Sequence, residues 1–416
     1  MENYENIKVN FDSFIQSLES NADDIEFRKK SFNHFLTNGF PKAKDEQWKY
    51  SPLTKGLNKF LSVEFSKSAE QNFPEELKEN YDHYPIFFID GNLQLENVQE
   101  NGLKIVKNEK FLKSVKKEGT NPVLNFTNAF ADEGYLIEVE PNTVVSKPIV
   151  VYNFYSNNFS SNFVSAKNFI LINESSEITI FEKNIYNSDQ EYLITSNTEV
   201  FLAKNSKLKK YNVNEENKHS TIFNFTKANL DEGSELEHFT FSKNINSCRD
   251  ETIVNLNGKN SFASVSGIQS LLDNNNHEIK LIINHNEEFT ESSQFIKSAL
   301  HDSSTAAFQG KIFVDSQAQK TDGYQLSRAL LLSDKARFFS KPELEIYADD
   351  VKCSHGSSSG SIDNESIFYL RSRGINETDA KEMMIKGFLA EVIDKLKDDR
   401  FKKIFFSKLG HDAENV

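Results

Sequence analysis

The sequence predicts a mainly β protein. Its centre reads as a β-solenoid, a parallel β-helix, flanked by helical N-terminal and C-terminal domains. Three observations carry this. From about Gly134 the chain becomes a series of short β-rich runs divided by Asn, Ser, Gly and Asp, and long helical periodicity is absent for about two hundred residues. Within that region a turn followed by Ser, one residue and an apolar residue recurs. It appears at Ser176-Glu177-Ile178, Ser206-Lys207-Leu208, Ser234-Glu235-Leu236 and Ser261-Phe262-Ala263, at intervals of 27 to 30 residues. Both ends of the chain carry helical spacing instead. A unit of this size cannot bury its apolar face alone, so the units must stack. Ser304-Thr305-Ala306 falls off the interval and closes the series. A β-sandwich is the alternative, although a single sandwich rarely runs this long.

The elements follow in order. Leu18, Ile25, Phe32, Phe35 and Leu36 have the spacing of an amphipathic helix, with Asn21 or Asp23 as its cap. Glu75–Tyr81 and Glu109–Lys117 read as short helices, and Ile86–Ile89 as a strand ending at the turn Asp90-Gly91. The β-rich runs include Tyr135–Val139, Ile149–Tyr152, Phe169–Ile172, Glu177–Phe181, Ile253–Leu256 and Leu281–Ile283. After about residue 365, Asn376 reads as an N-cap with Asp379 three residues on, opening a helix through Met383, Phe388, Val392 and Leu396. A further helical piece contains Phe401, Ile404 and Phe405, and the tail from His411 reads as frayed. The expected division is a mainly helical domain at 1–130, the β-helix at 131–365 and a helical domain at 366–416.

Composition narrows the function. The 416 residues carry a formal net charge of −14, and the Lys clusters lie among acidic residues, unlike the basic stripe of a nucleic-acid binder. The 36 Phe residues accompany abundant Asn and Lys and read as a compositional bias. Two distant cysteines, Cys248 and Cys353, make no disulfide framework and suit a reducing compartment. The start lacks the basic and apolar regions of a signal peptide, and the apolar runs are too short to span a bilayer, so a cytoplasmic location is expected. No phosphate-binding Gly-rich loop, dinucleotide fingerprint, CxxC, HExxH or EF-hand loop occurs. Gly356–Gly360 matches the letters of a nucleophile elbow but lacks its strand-and-helix frame.

The chemically suggestive segment is Glu345–Gly356. If it is one strand, Asp349, Val351, Cys353 and His355 share a face. A thiolate and an imidazole are good ligands for iron or zinc, but two are too few for a closed site. Any metal or cluster here must be completed by another chain or held transiently. A buried Cys beside a hydrogen-bonded His is the structural alternative. The other histidines, His34, His83, His219, His238, His277, His285, His301 and His411, show no metal-type spacing, and Cys248 reads as an isolated thiol.

The run LLLSDKARFFSKPELEIYADDVKCSHGSSSGSIDNESIFYLRSRGI, followed by KGFLAEV, strongly resembles the SufD family. Near the N-terminus, Asp45–Leu53 resembles the family's E-x-W-K-Y-T-x-L element, with Ser51 in place of Thr. Ser357-Ser358-Ser359 departs from the Ala-Thr-Val that the family often carries. The resemblance implies a right-handed parallel β-helix between helical domains. It also implies a non-enzymatic scaffold subunit of the SUF iron–sulfur cluster assembly complex. SufB would pair at the C-terminal end of the β-helix, and the ATPase SufC would dock on the C-terminal helices and supply the nucleotide site. His355 matches a family ligand for the nascent cluster at the SufB interface, and Cys353 a less certain neighbour. The cluster would be transient and shared with SufB, and a homodimer could form in isolation. Flavin binding stays open. SufB is the close rival, but its CxxCxxxC element is absent here. A β-helix carbohydrate-active enzyme is the alternative from another class. It wants a signal peptide and a pair of catalytic carboxylates, and neither is evident.

Overall fold

The computed structural model of the protein describes residues 5–18, 22–55, 57, 72–108, 121–157 and 163–410. The segment Glu109–Lys117 and the tail from His411 lie outside them. Two parallel ladders run through the molecule. The first stacks β1 (Tyr84–Ile89), β5 (Ile149–Ser156), β7 (Glu177–Asn187), the first parts of β9 (Lys207–Leu230) and β10 (Glu235–Leu256), β11 (Phe262–Leu271), β13 (Glu291–Leu300), β15 (Asp322–Leu331) and β17 (Lys352–Gly360). The second stacks β4 (Tyr135–Val139), β6 (Phe163–Ile172), β8 (Leu193–Leu202), the later parts of β9 and β10, β12 (Asn276–His285), β14 (Thr305–Val314) and β16 (Arg337–Ile346). Among the described residues, antiparallel pairing is confined to β2 (Asn92–Leu95) on β1 and β3 (Leu103–Lys107) on β4. This is a β-helix, not a sandwich.

The serine repeat is one corner of that helix. At each turn from the second ladder to the first, a left-handed residue precedes a buried hydroxyl: Asn205 (φ 56) before Ser206, Gly233 (φ 64) before Ser234, Asn260 (φ 59) before Ser261. Asn, Asp and Gly are the residues that tolerate this backbone. A side chain at Gly233 would also meet Asn205 Oδ1 of the coil beneath at 2.4 Å. Each hydroxyl donates back to the carbonyl three residues earlier, Ser206 to Ala203 at 2.7 Å, Ser234 to Asp231 at 2.7 Å and Ser261 to Gly258 at 2.8 Å. The column continues as Thr290, which donates to Glu287, and Thr321, which donates to Ala318. The column therefore extends beyond the serine repeat, with Thr in place of Ser. Ser304 belongs to the opposite corner, after Asp302 (φ 49), with the same bond to His301 at 2.6 Å.

Helices cover the outside. Besides α2 (Ala22–Asn38), α1 (Glu5–Ser17) and α3 (Pro122–Phe130) form a Phe-rich layer on Phe163, Leu193, Phe223 and Phe225 of the second ladder. Leu18 follows the end of α1 and lies outside both helices, so the expected stripe is helical only from Ile25 onward, within α2. The Asn121 side chain caps α3, with Pro122 at its first position. Glu75–Tyr81 contains only a single tight turn at Glu75–Leu77. At the other end come α4 (Asn364–Ser372), α5 (Glu377–Ile393) and α6 (Asp399–Lys408). Asn376 caps α5 as expected, accepting from the Asp379 amide at 2.9 Å. Phe401 and Phe405 of α6 meet Phe181, Tyr211 and Phe239 on the outer face of the first ladder.

Candidate functional site

The solenoid ends on β17. Among the described residues it pairs with β15 alone, Gly323 opposite Cys353 and Gln325 opposite His355. Period-2 alternation points Cys353, His355, Ser357 and Ser359 to the inner face, where no further coil covers them. His355 is exposed. Beneath it, Gln325 is fully buried, yet both polar atoms of its side-chain amide lack a hydrogen-bond partner among the described residues. Cys353 is half-buried against the cluster of Ile312, Val314, Ala318 and Ala348, and burial raises its thiol pKa. It is therefore not an activated thiolate at neutral pH.

The expected four-residue face is only half present. β16 ends at Ile346 and β17 begins at Lys352, so Asp349 and Val351 lie in the bend between them. Cys353 and His355 share the strand face. Gly356–Gly360 runs along β17 as an exposed strand, without a strand–turn–helix elbow.

The WKY segment is an anchor. Arg249, fully buried, stacks over Trp48 with its guanidinium 3.9 Å from the ring centroid. The same group bonds Glu278 at 2.5 Å and Glu251 at 3.0 Å, and donates to the Gln47 carbonyl at 3.2 Å. Tyr50 stacks on Phe339 at 4.8 Å, and Lys341 pairs with Glu46 at 3.0 Å. The element thus fastens the N-terminal segment across the second ladder, from β10 to β16.

Sequence reasoning missed a second cluster. Cys248 and His277 are register partners on neighbouring coils, and Asp250 lies two residues along the same face. His277 Nε2 is 2.7 Å from Asp250 Oδ2, and Cys248 Sγ is 3.8 Å from the same oxygen. Cys248 is therefore not isolated. Burial, with the Asp250 charge beside it, pushes its thiol pKa well up. Burial alone would raise the Asp250 carboxyl, but its hydrogen bonds with His277 and Asn224, with the neighbouring imidazoles adding to them, hold it low. The missed signal was arithmetic: one repeat interval of 27 to 30 residues beyond Cys248 reaches the neighbourhood of His277.

Fold and end strand together define a parallel β-helix protein that presents a thiol and an imidazole on an unpaired solenoid terminus. The domain model for the SufBD core of SUF-system FeS cluster assembly matches residues 154–388. The chain is 30% identical over 388 residues to the iron–sulfur cluster assembly protein SufD of Escherichia coli, covering 92% of this chain and 91% of that protein. A SufBD family protein of Synechocystis is 42% identical over 116 residues, 28% of this chain and 25% of its own length. A chloroplastic protein of Arabidopsis thaliana is 31% identical over 231 residues, 55% of this chain and 48% of its own length. The chain belongs to the SufBD family of iron–sulfur cluster assembly proteins and is SufD-like. Of the two function classes weighed from the sequence, the assembly protein stands. No helix among the described residues is long and apolar enough to cross a membrane.

Proposed function

We propose that this chain is a scaffold subunit that pairs with a SufB-type paralogue through β17 and docks the ATPase SufC on its C-terminal helices. His355 is then a ligand of the nascent iron–sulfur cluster, which is cargo, and Cys353 stands beside it as a secondary donor. The observation that carries the reading is the exposed His355 on a strand with one neighbour, above a buried and unpaired Gln325 amide. Unpaired backbone groups on such an edge favour a strand from a partner. The exposed Phe368 (75%), Tyr369 (53%) and Met383 (51%) on α4 and α5 support helix docking. The accompanying division is 1–130, 131–365 and 366–416. Two unpaired cysteines suit work in a reducing cytoplasm.

The test is anaerobic co-expression with SufB and SufC, wild type against His355→Ala and Cys353→Ser. Complex formation is read by size exclusion and cluster by visible absorbance. Loss of cluster in His355→Ala with the complex intact is expected, and a smaller loss in Cys353→Ser. Unchanged cluster content in His355→Ala would refute the ligand role. Migration of every sample as an uncomplexed monomer or homodimer would refute the pairing.

A further inference from the structure

We propose that Cys248, Asp250 and His277 form an internal binding site for a borderline divalent transition-metal ion of the Fe2+ or Zn2+ kind. The site lies within the solenoid and is independent of the end-strand site at His355. All three ligand atoms lie within 4.8 Å of one another, and all three residues are buried. Bond lengths of about 2.0–2.3 Å in a tetrahedral site put its ligand atoms about 3.4–3.6 Å apart. The 3.8 Å between Cys248 Sγ and Asp250 Oδ2 is close to that, and the 2.7 Å between His277 Nε2 and the carboxylate must open slightly.

Charge favours the site as well. One thiolate, one carboxylate and a divalent ion sum to zero, which a dry interior tolerates far better than an uncompensated charge. Binding releases one proton, from the Cys248 thiol. His277 coordinates through the Nε2 that faces Asp250 and carries its proton on Nδ1. That Nδ1 has no hydrogen-bond partner among the described residues, although His277 is fully buried. Asn224 donates to the other Asp250 oxygen at 2.8 Å and fixes the carboxylate, as an outer-shell partner does.

The test uses the full chain in a Cys353→Ser, His355→Ala background, which leaves Cys248 as the remaining thiol and removes the end-strand site. The metal-free protein is titrated anaerobically with Co2+ alone, then with Fe2+ and Zn2+ as competitors. We expect about one Co2+ per chain with a thiolate-to-cobalt band that Fe2+ or Zn2+ displaces. The band should vanish in Cys248→Ala, and affinity should fall at least tenfold in His277→Gln. Circular dichroism checks the fold of each variant. X-ray absorption of the Zn2+-loaded background protein needs no change at the site and should show one sulfur at about 2.3 Å. A titration without a thiolate band, a band that persists in Cys248→Ala, or a shell of nitrogen and oxygen alone would overturn the proposal. None of these outcomes bears on the cluster test at His355.

Discussion

His238 and His285 sit inside the solenoid as neutral imidazoles. Burial, with Lys210 adding to it, pushes the His238 pKa down to about 3, and burial pushes His285 down to about 4. An unfolded imidazole titrates near 6.5, so between these values the unfolded chain binds protons that the folded chain refuses. Stability is complete above about pH 6.5 and falls as the pH drops towards the folded values. From pH 7 to pH 5 the loss approaches about 2 kcal/mol for each imidazole. Urea denaturation at pH 5, 6 and 7 checks this. His238→Gln and His285→Gln should each flatten the dependence, and an unchanged slope in both would argue against it. Residue by residue, legibility followed spacing along one strand. Cys353 and His355 are two apart, and their common face was readable. Asp349 was misplaced because a bend interrupts the segment before Lys352. Cys248 and His277 meet only through coil-to-coil register, which depends on the length of a turn rather than on any local pattern.

Whole elements were read more successfully than their ends. Every strand named from the sequence is present, but most are longer. β9 and β10 each run through both ladders, and their mutual pairing resumes past the corner after a register shift between Ile245 and Ser247. β-branched and aromatic runs announce a strand, whereas polar residues facing the interior, such as Asn212 and Asn224, disguise its continuation. Helices α1, α3 and α4 escaped notice, since α1 has only two buried residues and α3 is buried almost all round. The corner hydroxyls make a sharp prediction. Ser234→Ala removes a buried bond to the Asp231 carbonyl and should cost about 1 kcal/mol, whereas Ser234→Thr should be tolerated because Thr290 and Thr321 fill the same column. The latch on the outer face is stronger. Phe405, fully buried against Phe239 at 4.5 Å, should cost about 3–5 kcal/mol when changed to Ala, seen as a lower denaturation midpoint.

At the scale of the molecule, one solenoid end is covered by β2 and β3 and the other is open at β17. The Lys352 amide donates inward to Thr321, so alternate amides, including that of Ser357, point to the free edge. Proline lacks the amide that an incoming strand needs. Ser357→Pro should therefore leave the isolated fold's melting temperature nearly unchanged and abolish partner pairing on size exclusion. Ser358→Pro, whose amide points to β15, should destabilise the fold itself. Equal effects of the two would contradict this edge assignment.

The position of the C-terminal latch has a mechanical meaning. α6 grips β7, β9 and β10, and α5 lies over β11 and β13, so the helices hold the waist of the stack rather than its tip. Rungs of a sheet lie about 4.8 Å apart, and four of them separate β10 from β17 along the first ladder, a lever arm of about 19 Å. A cross-braced stack of this kind turns as a stiff beam. A tilt of about 10° imposed at the waist would carry His355 sideways by about 3 Å, by the same rung spacing. That is more than the length of a metal–nitrogen bond, so under the ligand role proposed for His355 a modest rotation of the helices would be enough to make or break coordination there.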